Sequence, residues 1–178
     1  PEWKTLSIVR HFQSSLYVFN ENYNELSEAL TLYCDAPDGN KLMNVTRRHR
    51  LEQYFSEILR RNHNFVAAAK SLIDHSRVLY YQLYESSGRF PDYQVEIESR
   101  FKNDPLTQFV IIFRHFCQHY RMPDISAQMS YVSGEALTKK ILLRKSNLLE
   151  FDGWNLPAKK FLAQVDSEID LQILVRDY

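Results

Sequence analysis

The chain has 178 residues, of which 44% are hydrophobic and 25% are charged, and its formal net charge is zero. This length is enough for one domain with a substantial hydrophobic core and excludes two large ones. Four glycines and six prolines exclude long low-complexity segments, and the neutral balance disfavours indiscriminate nucleic-acid binding while leaving room for a local basic groove.

The first predicted element is a long helix from Trp3 to Tyr33. Proline and glycine in the segment 35–39 end it. Apolar residues recur along this helix at steps of three and four, which is typical of an amphipathic helix: Leu6, Val9, Phe12, Leu16, Phe19, Tyr23, Leu26 and Leu30.

A second, longer helical region runs from about residue 45 to residue 84 and carries a similar apolar stripe. The polar run Asn62-His63-Asn64 within it leaves open a kink or a cap between two helices. Ser86-Ser87-Gly88 ends the region. We expect the two long helices to pack antiparallel in a helical bundle.

The segment 89–101 is a mixed, charged connector that we expect to be partly helical. Asn103-Asp104-Pro105 predicts a helix start, because aspartate caps helices and proline fits the first turn. A helix from Leu106 to Tyr120 follows, although the segment 110–113 alone is also compatible with a strand. Pro123 stops this helix.

The C-terminal part changes in character. The segments 126–132 and 137–151 flank the turn signal Ser133-Gly134-Glu135 and predict a small β-hairpin. A sheet of so few strands depends on the helices for its stability. Two short helices, at 156–165 and 167–178, complete the chain.

The predicted fold class is therefore mainly α: a helical bundle with long antiparallel helices, a small β-hairpin and short C-terminal helices. We expect one domain over residues 1–178. Within it, residues 1–123 form the bundle, 124–151 an accessory hairpin and 152–178 the C-terminal helices.

The two cysteines, Cys34 and Cys117, are far apart and belong to no CxxC pair, so we expect free, buried thiols. No run of about 18 apolar residues predicts a transmembrane helix, and no signal peptide is visible. These features predict a cytoplasmic protein that does not enter the membrane. The chain begins with proline, which leaves the native start open.

The stretch Arg114-His-Phe-Cys-Gln-His119 carries the residues best suited to chemistry. On a helix His115 and His119 share a face, whereas Arg114 and His119 lie roughly 140° apart at about 100° per residue. Arginine is long, and His119 lies near the helix end. Both side chains could therefore reach one groove beside the helix.

An arginine followed by a polar residue and then a histidine at this spacing, on a late helix of a helical bundle, resembles the HEPN family. The resemblance covers about the first 125 residues by architecture and six residues by motif. It implies a bacterial endoribonuclease, of the kind found in toxin–antitoxin or phage-defence systems, that cleaves RNA without a metal or cofactor. It also implies a homodimer whose motif helices face each other, and an antitoxin protein as a further partner.

In that chemistry the ribose 2′-hydroxyl attacks the neighbouring phosphate and leaves a cyclic phosphate end. His119 is assigned as the general acid or base, and Arg114 as the phosphate clamp. His115 would orient the site or carry a second proton, and Tyr120 would stack or hydrogen-bond nearby. For each residue taken alone, a surface ion pair, a helix-dipole contact or ordinary packing is the simpler interpretation.

A second polar cluster includes Asn64 and Arg77, thirteen residues apart on one predicted helix. Its functional interpretation is that this helix lines the same groove as Arg114 and binds substrate. The simpler interpretation is a solvated helix face, because Asp74 and Arg77 have the spacing of a plain surface ion pair.

Other sites are weaker candidates. His115 and His119 have the i, i+4 spacing of zinc ligands, but Phe116 stands where metalloproteases carry glutamate, so no metal is predicted. The basic runs 47–50 with 60–61, and 139–140 with 144–145, could contact RNA. For the run at 139–145, an exposed strand edge guarded by lysines is the simpler account.

The runner-up function belongs to a different class. It is a non-catalytic helical module that dimerises or binds a partner protein or RNA. An open basic groove that holds both Arg114 and His119 would favour the enzyme. An arginine tied to a carboxylate, with the histidine packed under the hairpin, would favour the module.

Overall fold

The computed structural model describes residues 2–34, 48–131, 133–134 and 137–178. Two long antiparallel helices, α1 (Glu2–Cys34) and α2 (Arg48–Leu83), form its main axis and pack against each other. The helix-breaking segment predicted at 35–39, and the first residues of the second helical region at 45–47, lie outside the described residues.

Helix α2 is continuous through the polar run at 62–64, so this run does not cap one helix and separate it from a second. Asn62 faces the core and is only 1% exposed. Past the end of α2, a 3₁₀ turn at Glu85–Ser87 stops at Gly88, whose φ of 63° is left-handed, as the glycine there predicts.

The connector is partly helical, as predicted, with α3 (Tyr93–Ile97) followed by a π-helical turn (Glu98–Lys102). Helix α4 (Pro105–His119) then begins where aspartate and proline predict a start. The carboxylate of Asp104 accepts a hydrogen bond from the backbone N–H of Thr107 at 2.6 Å. The segment 110–113 belongs to this helix and not to a strand.

Three antiparallel strands form a small sheet in the order β1-β2-β3, with bounds Ile125–Ser130, Thr138–Arg144 and Glu168–Asp170. The predicted hairpin exists, with Ile125 opposite Leu143 and Ser130 opposite Thr138. Its second strand is shorter than predicted, because helix α5 (Lys145–Leu148) follows at once.

The interpretation of 139–145 as a lysine-guarded edge is wrong, because β2 is the central strand of the described sheet. Lys139 is buried, and its ammonium lies 5.9 Å from the ring centre of Tyr33. Lys140 lies 3.6 Å from a carboxylate oxygen of Asp170 on β3. Alternation along the strand places Lys139 on the same face as Ile141 and Leu143, and all three are buried.

Two short helices, α6 (Leu156–Gln164) and α7 (Leu171–Asp177), close the chain. The final helix is shorter than predicted, because residues 168–170 pair with β2 and Asp170 caps α7. One hydrophobic cluster joins the end of α1, α2, α4, β2 and the C-terminal helices. The hairpin predicted as an accessory therefore shares the core of the bundle through Ile141 and Leu143.

Candidate functional site at the end of helix α4

The last turns of α4 pack against an aromatic core. This packing determines which side chains of the helix face the solvent. Phe116 packs against Trp154 and Phe151, at ring-centre distances of 6.2 and 5.7 Å. The buried face of α4 consists of Phe109, Val110, Phe113, Phe116 and Cys117. Because this face points inward, the intervening polar residues lie on the flanks and on the solvent side.

His115 and His119 form a pair on the solvent side of α4. Both are exposed, and their ring centres are 4.7 Å apart. The ring centre of Phe151 lies 5.9 Å from that of His115 and supports the pair from the following loop. The prediction that these histidines share a face is confirmed.

Tyr120 extends this patch past the helix end. Its side chain is 47% exposed, and its ring centre lies 5.3 Å from that of Phe116 and 5.4 Å from that of Phe151. The guanidinium of Arg121 lies 5.6 Å from the centre of the Tyr120 ring. Sequence reasoning missed Arg121, although a basic residue two positions after His119 was a signal for it.

Arg121 is held in place on its other side as well. It donates to the carbonyl oxygen of Asn147 at 3.0 Å and lies 3.1 Å from a carboxylate oxygen of Glu150. These contacts tie the end of α4 to the segment that follows β2. The loop that carries Phe151 therefore has a fixed position beside the histidine pair.

Arg114 is half-buried on the opposite flank of α4, on the side of Val110 and Cys117. Among the described residues it has no hydrogen bond or ion pair, so no carboxylate there neutralises it. Arg114 and His119 are five residues apart, so their side chains point roughly 140° apart around the helix axis. Within one chain, no side-chain hydrogen bond, ion pair or ring contact joins Arg114 to His115 or His119 in the described residues.

Cys117 lies within the motif but is buried, and burial raises the pKa of its thiol to about 12. The side chain therefore stays a neutral thiol at physiological pH and is no nucleophile. Cys34 and Cys117 are both free and buried, as the sequence predicts.

The structure does not bring Asn64 and Arg77 together. Thirteen residues are about 3.6 turns of helix, so the two side chains point roughly 140° apart around α2. Arg77 lies 3.9 Å from Asp74, the surface ion pair that the spacing predicts. Asn64 instead faces α1.

On that side, α1 and α2 enclose an open groove of about 850 Å³, here called the α1–α2 groove. Ser15 of α1 and His75 of α2 form a hydrogen bond across it. Sequence reasoning did not pair these two residues, because the pairing depends on how the helices align. The groove lies apart from the α4 motif, and Asn64 belongs to it.

The two arginines of the basic run at 60–61 form hydrogen bonds with a neighbouring carboxylate on the same helix. Arg60 and Arg61 both donate to the carboxylate of Glu57. These hydrogen bonds lower the pKa of Glu57 to about 2. On the C-terminal side, the ammonium of Lys145 donates to the carbonyl oxygen of Val165 at 2.7 Å. Arg60, Arg61 and Lys145 therefore all form hydrogen bonds within the chain.

Within the described ranges, no group of three or more histidine, cysteine, aspartate or glutamate side chains lies close enough to hold a metal ion. Among the described helices, none is both long and apolar enough to cross a bilayer. The chain matches no protein-family model, no curated protein and no solved structure.

Proposed function

We propose that this chain is a metal-independent endoribonuclease of the HEPN type, with its site at the end of α4. The observation that carries the proposal is the pair of exposed imidazoles, His115 and His119, whose ring centres are 4.7 Å apart. Two histidines side by side supply both proton-transfer roles that cleavage by the ribose 2′-hydroxyl needs.

In the proposed step, neutral His119 takes the proton of the 2′-hydroxyl as this oxygen bonds to the adjacent phosphorus. The bond from phosphorus to O5′ breaks, and its electron pair stays on O5′. Protonated His115 gives its proton to that oxygen. The products are a 2′,3′-cyclic phosphate and a 5′-hydroxyl, and the exposed Tyr120 ring can stack on a neighbouring base.

In this proposal, Arg114 acts in a site that it forms together with the His119 of a second chain. It has no carboxylate partner among the described residues, and its fixed positive charge suits a phosphate that gains negative charge. Because it lies roughly 140° around α4 from His119, a homodimer with facing α4 ends would place Arg114 of one chain beside His119 of the other. A role in toxin–antitoxin or phage defence, with an antitoxin partner, belongs to the same proposal.

The test is cleavage of a mixed RNA pool in the presence of EDTA by the wild type and three variants. We expect Arg114→Ala and His119→Ala to lose at least 100-fold in rate, in the range typical of general acid–base catalysis. His115→Ala should lose a comparable factor, because His115 supplies the general acid of the same step. The matched control is His11→Ala, an exposed histidine on α1, which should cleave like the wild type. Wild-type rates in all three variants would contradict the assignment.

A non-catalytic dimerisation or binding module is the second candidate, and one observation favours it. Large apolar side chains on α1 are exposed, among them Trp3 at 76%, Leu6 at 57% and Tyr17 at 65%. Such residues are typical of surfaces that associate. A wild type that leaves the RNA pool intact but self-associates would favour this module over the enzyme.

A further inference from the structure

The first three-quarters of α1 lies on the body of the protein without entering its core. No residue of α1 before Leu26 is fully buried. This segment is about 36 Å long at 1.5 Å per residue. One face of this segment packs on α2 through half-buried residues such as Phe19 and Tyr23, whereas its opposite face carries exposed large apolar side chains, which are typical of surfaces that associate.

One side of α1 carries a row of exposed residues that we call the outer stripe. Trp3, Tyr17 and Leu32 are 76%, 65% and 53% exposed. At about 100° per residue, all members fall within an arc of about 60°. The outer stripe consists of Trp3, Arg10, Tyr17, Glu21, Glu28 and Leu32.

The charges of the outer stripe are segregated along the helix. Its basic residue, Arg10, lies in the N-terminal half, and its acidic residues, Glu21 and Glu28, lie in the C-terminal half. Among the described residues, neither Arg10 nor Glu21 takes part in an ion pair. A surface of this kind is complementary to itself when two copies run antiparallel and repels itself when they run parallel.

We propose that two copies of this chain associate through their outer stripes, with the α1 helices antiparallel about a two-fold axis between residues 15 and 16. This axis places Arg10 of each copy opposite Glu21 of the other. Tyr17 of both copies lies beside the axis, and Trp3 of each copy lies opposite Glu28 of the other, about 6 Å along the helix from Leu32. Apolar contacts thus form at the centre and at both ends, with ion pairs between them.

The occupant is a second copy rather than an unrelated helix, because the match between Arg10 and Glu21 arises from the chain itself. The contact is distinct from the end of α4. It stands whether or not the chain cleaves RNA, and association and cleavage are measured separately.

A charge-swap experiment tests both the surface and its orientation. Arg10→Glu and Glu21→Arg are each made alone, and the mass of each full-length protein is followed by analytical ultracentrifugation over a concentration series. We expect the wild type to associate as its concentration rises, into a dimer through the outer stripes alone or into a tetramer or larger assembly where the α4 ends also pair. Each single variant should dissociate about tenfold more readily, because two attractive pairs become repulsive.

An equimolar mixture of the two variants should restore association through the outer stripes to the wild-type level. In that heterodimer, the substituted positions 10 and 21 face each other with their charges exchanged, so this pair is again attractive. The natural Arg10 of one chain and the natural Glu21 of the other form the second pair. The matched control is Lys160→Glu, an exposed lysine on α6, which should dimerise like the wild type.

Three results would overturn the proposal. One is a wild type that stays monomeric at about 100 µM, well above the range of specific association. Another is association that neither single variant weakens, since the outer stripes then contribute nothing to it. The third is equal weakening by Lys160→Glu. Circular dichroism of each variant confirms that the fold persists.

Discussion

At the residue scale, Asn62 is a polar side chain whose burial costs free energy of folding. It is 1% exposed on α2, and neither its amide oxygen nor its amide nitrogen has a hydrogen-bond partner among the described residues. Leucine has the same branching and number of heavy atoms. We expect Asn62→Leu to stabilise the protein by about 1 kcal/mol, because it removes an uncompensated desolvation cost.

Urea denaturation of the variant measures this change in the free energy of unfolding. Asn64→Leu, two residues along the same helix and facing the α1–α2 groove, is the control and should change stability by less than about 0.5 kcal/mol. Destabilisation by Asn62→Leu would mean that the amide is satisfied by a bound molecule, which contradicts the description of Asn62 as an uncompensated buried group.

Two residue pairs show which contacts could be predicted from the sequence and which could not. The shared face of His115 and His119 follows from helix periodicity alone, and the structure confirms it. The pairing of Ser15 with His75 depends on the alignment of two helices, across a separation of 60 residues along the chain. Periodicity fixes which face a residue occupies but not which residue on another helix it meets, so only the first was predictable.

At the scale of elements, the cap of α4 is a local device with a measurable effect. Asp104 accepts from the backbone N–H of Thr107 at 2.6 Å, and Pro105 occupies the first turn. We expect Asp104→Ala to destabilise the protein by about 1 kcal/mol, which is typical for the loss of a helix cap. Asp104→Asn keeps an acceptor and should retain most of the stability in thermal unfolding. Equal losses in both variants would show that the charge of Asp104, rather than the cap, matters.

Elements with local signals were predictable, and elements that exist through tertiary pairing were not. Helices α1, α2 and α4 follow from apolar periodicity and capping residues. Strand β3 has three residues and exists because Leu142 to Arg144 pair with it. Helix α5 has four residues and ends β2 earlier than the apolar run suggests. Short elements bury too little by themselves to leave a clear signal in sequence.

At the scale of the whole molecule, the proposed site needs two chains. Mixing two inactive variants tests this requirement. In an equimolar mixture of Arg114→Ala and His119→Ala, half of the dimers are mixed and each has one intact composite site. We therefore expect about a quarter of the wild-type cleavage rate to return, on the assumption of random exchange between subunits. Activity that stays at the level of the single variants would place both residues in one chain or outside the site.

The measurement that tests the central claim most directly is the chemistry of the RNA ends that the wild type produces in EDTA. Cleavage by the neighbouring 2′-hydroxyl, with protons moved by His115 and His119, leaves 2′,3′-cyclic phosphate and 5′-hydroxyl ends. We predict these ends, and we predict their loss in His119→Ala. Ends with 3′-hydroxyl and 5′-phosphate groups, or RNA left intact by micromolar wild-type protein, would contradict the proposed function.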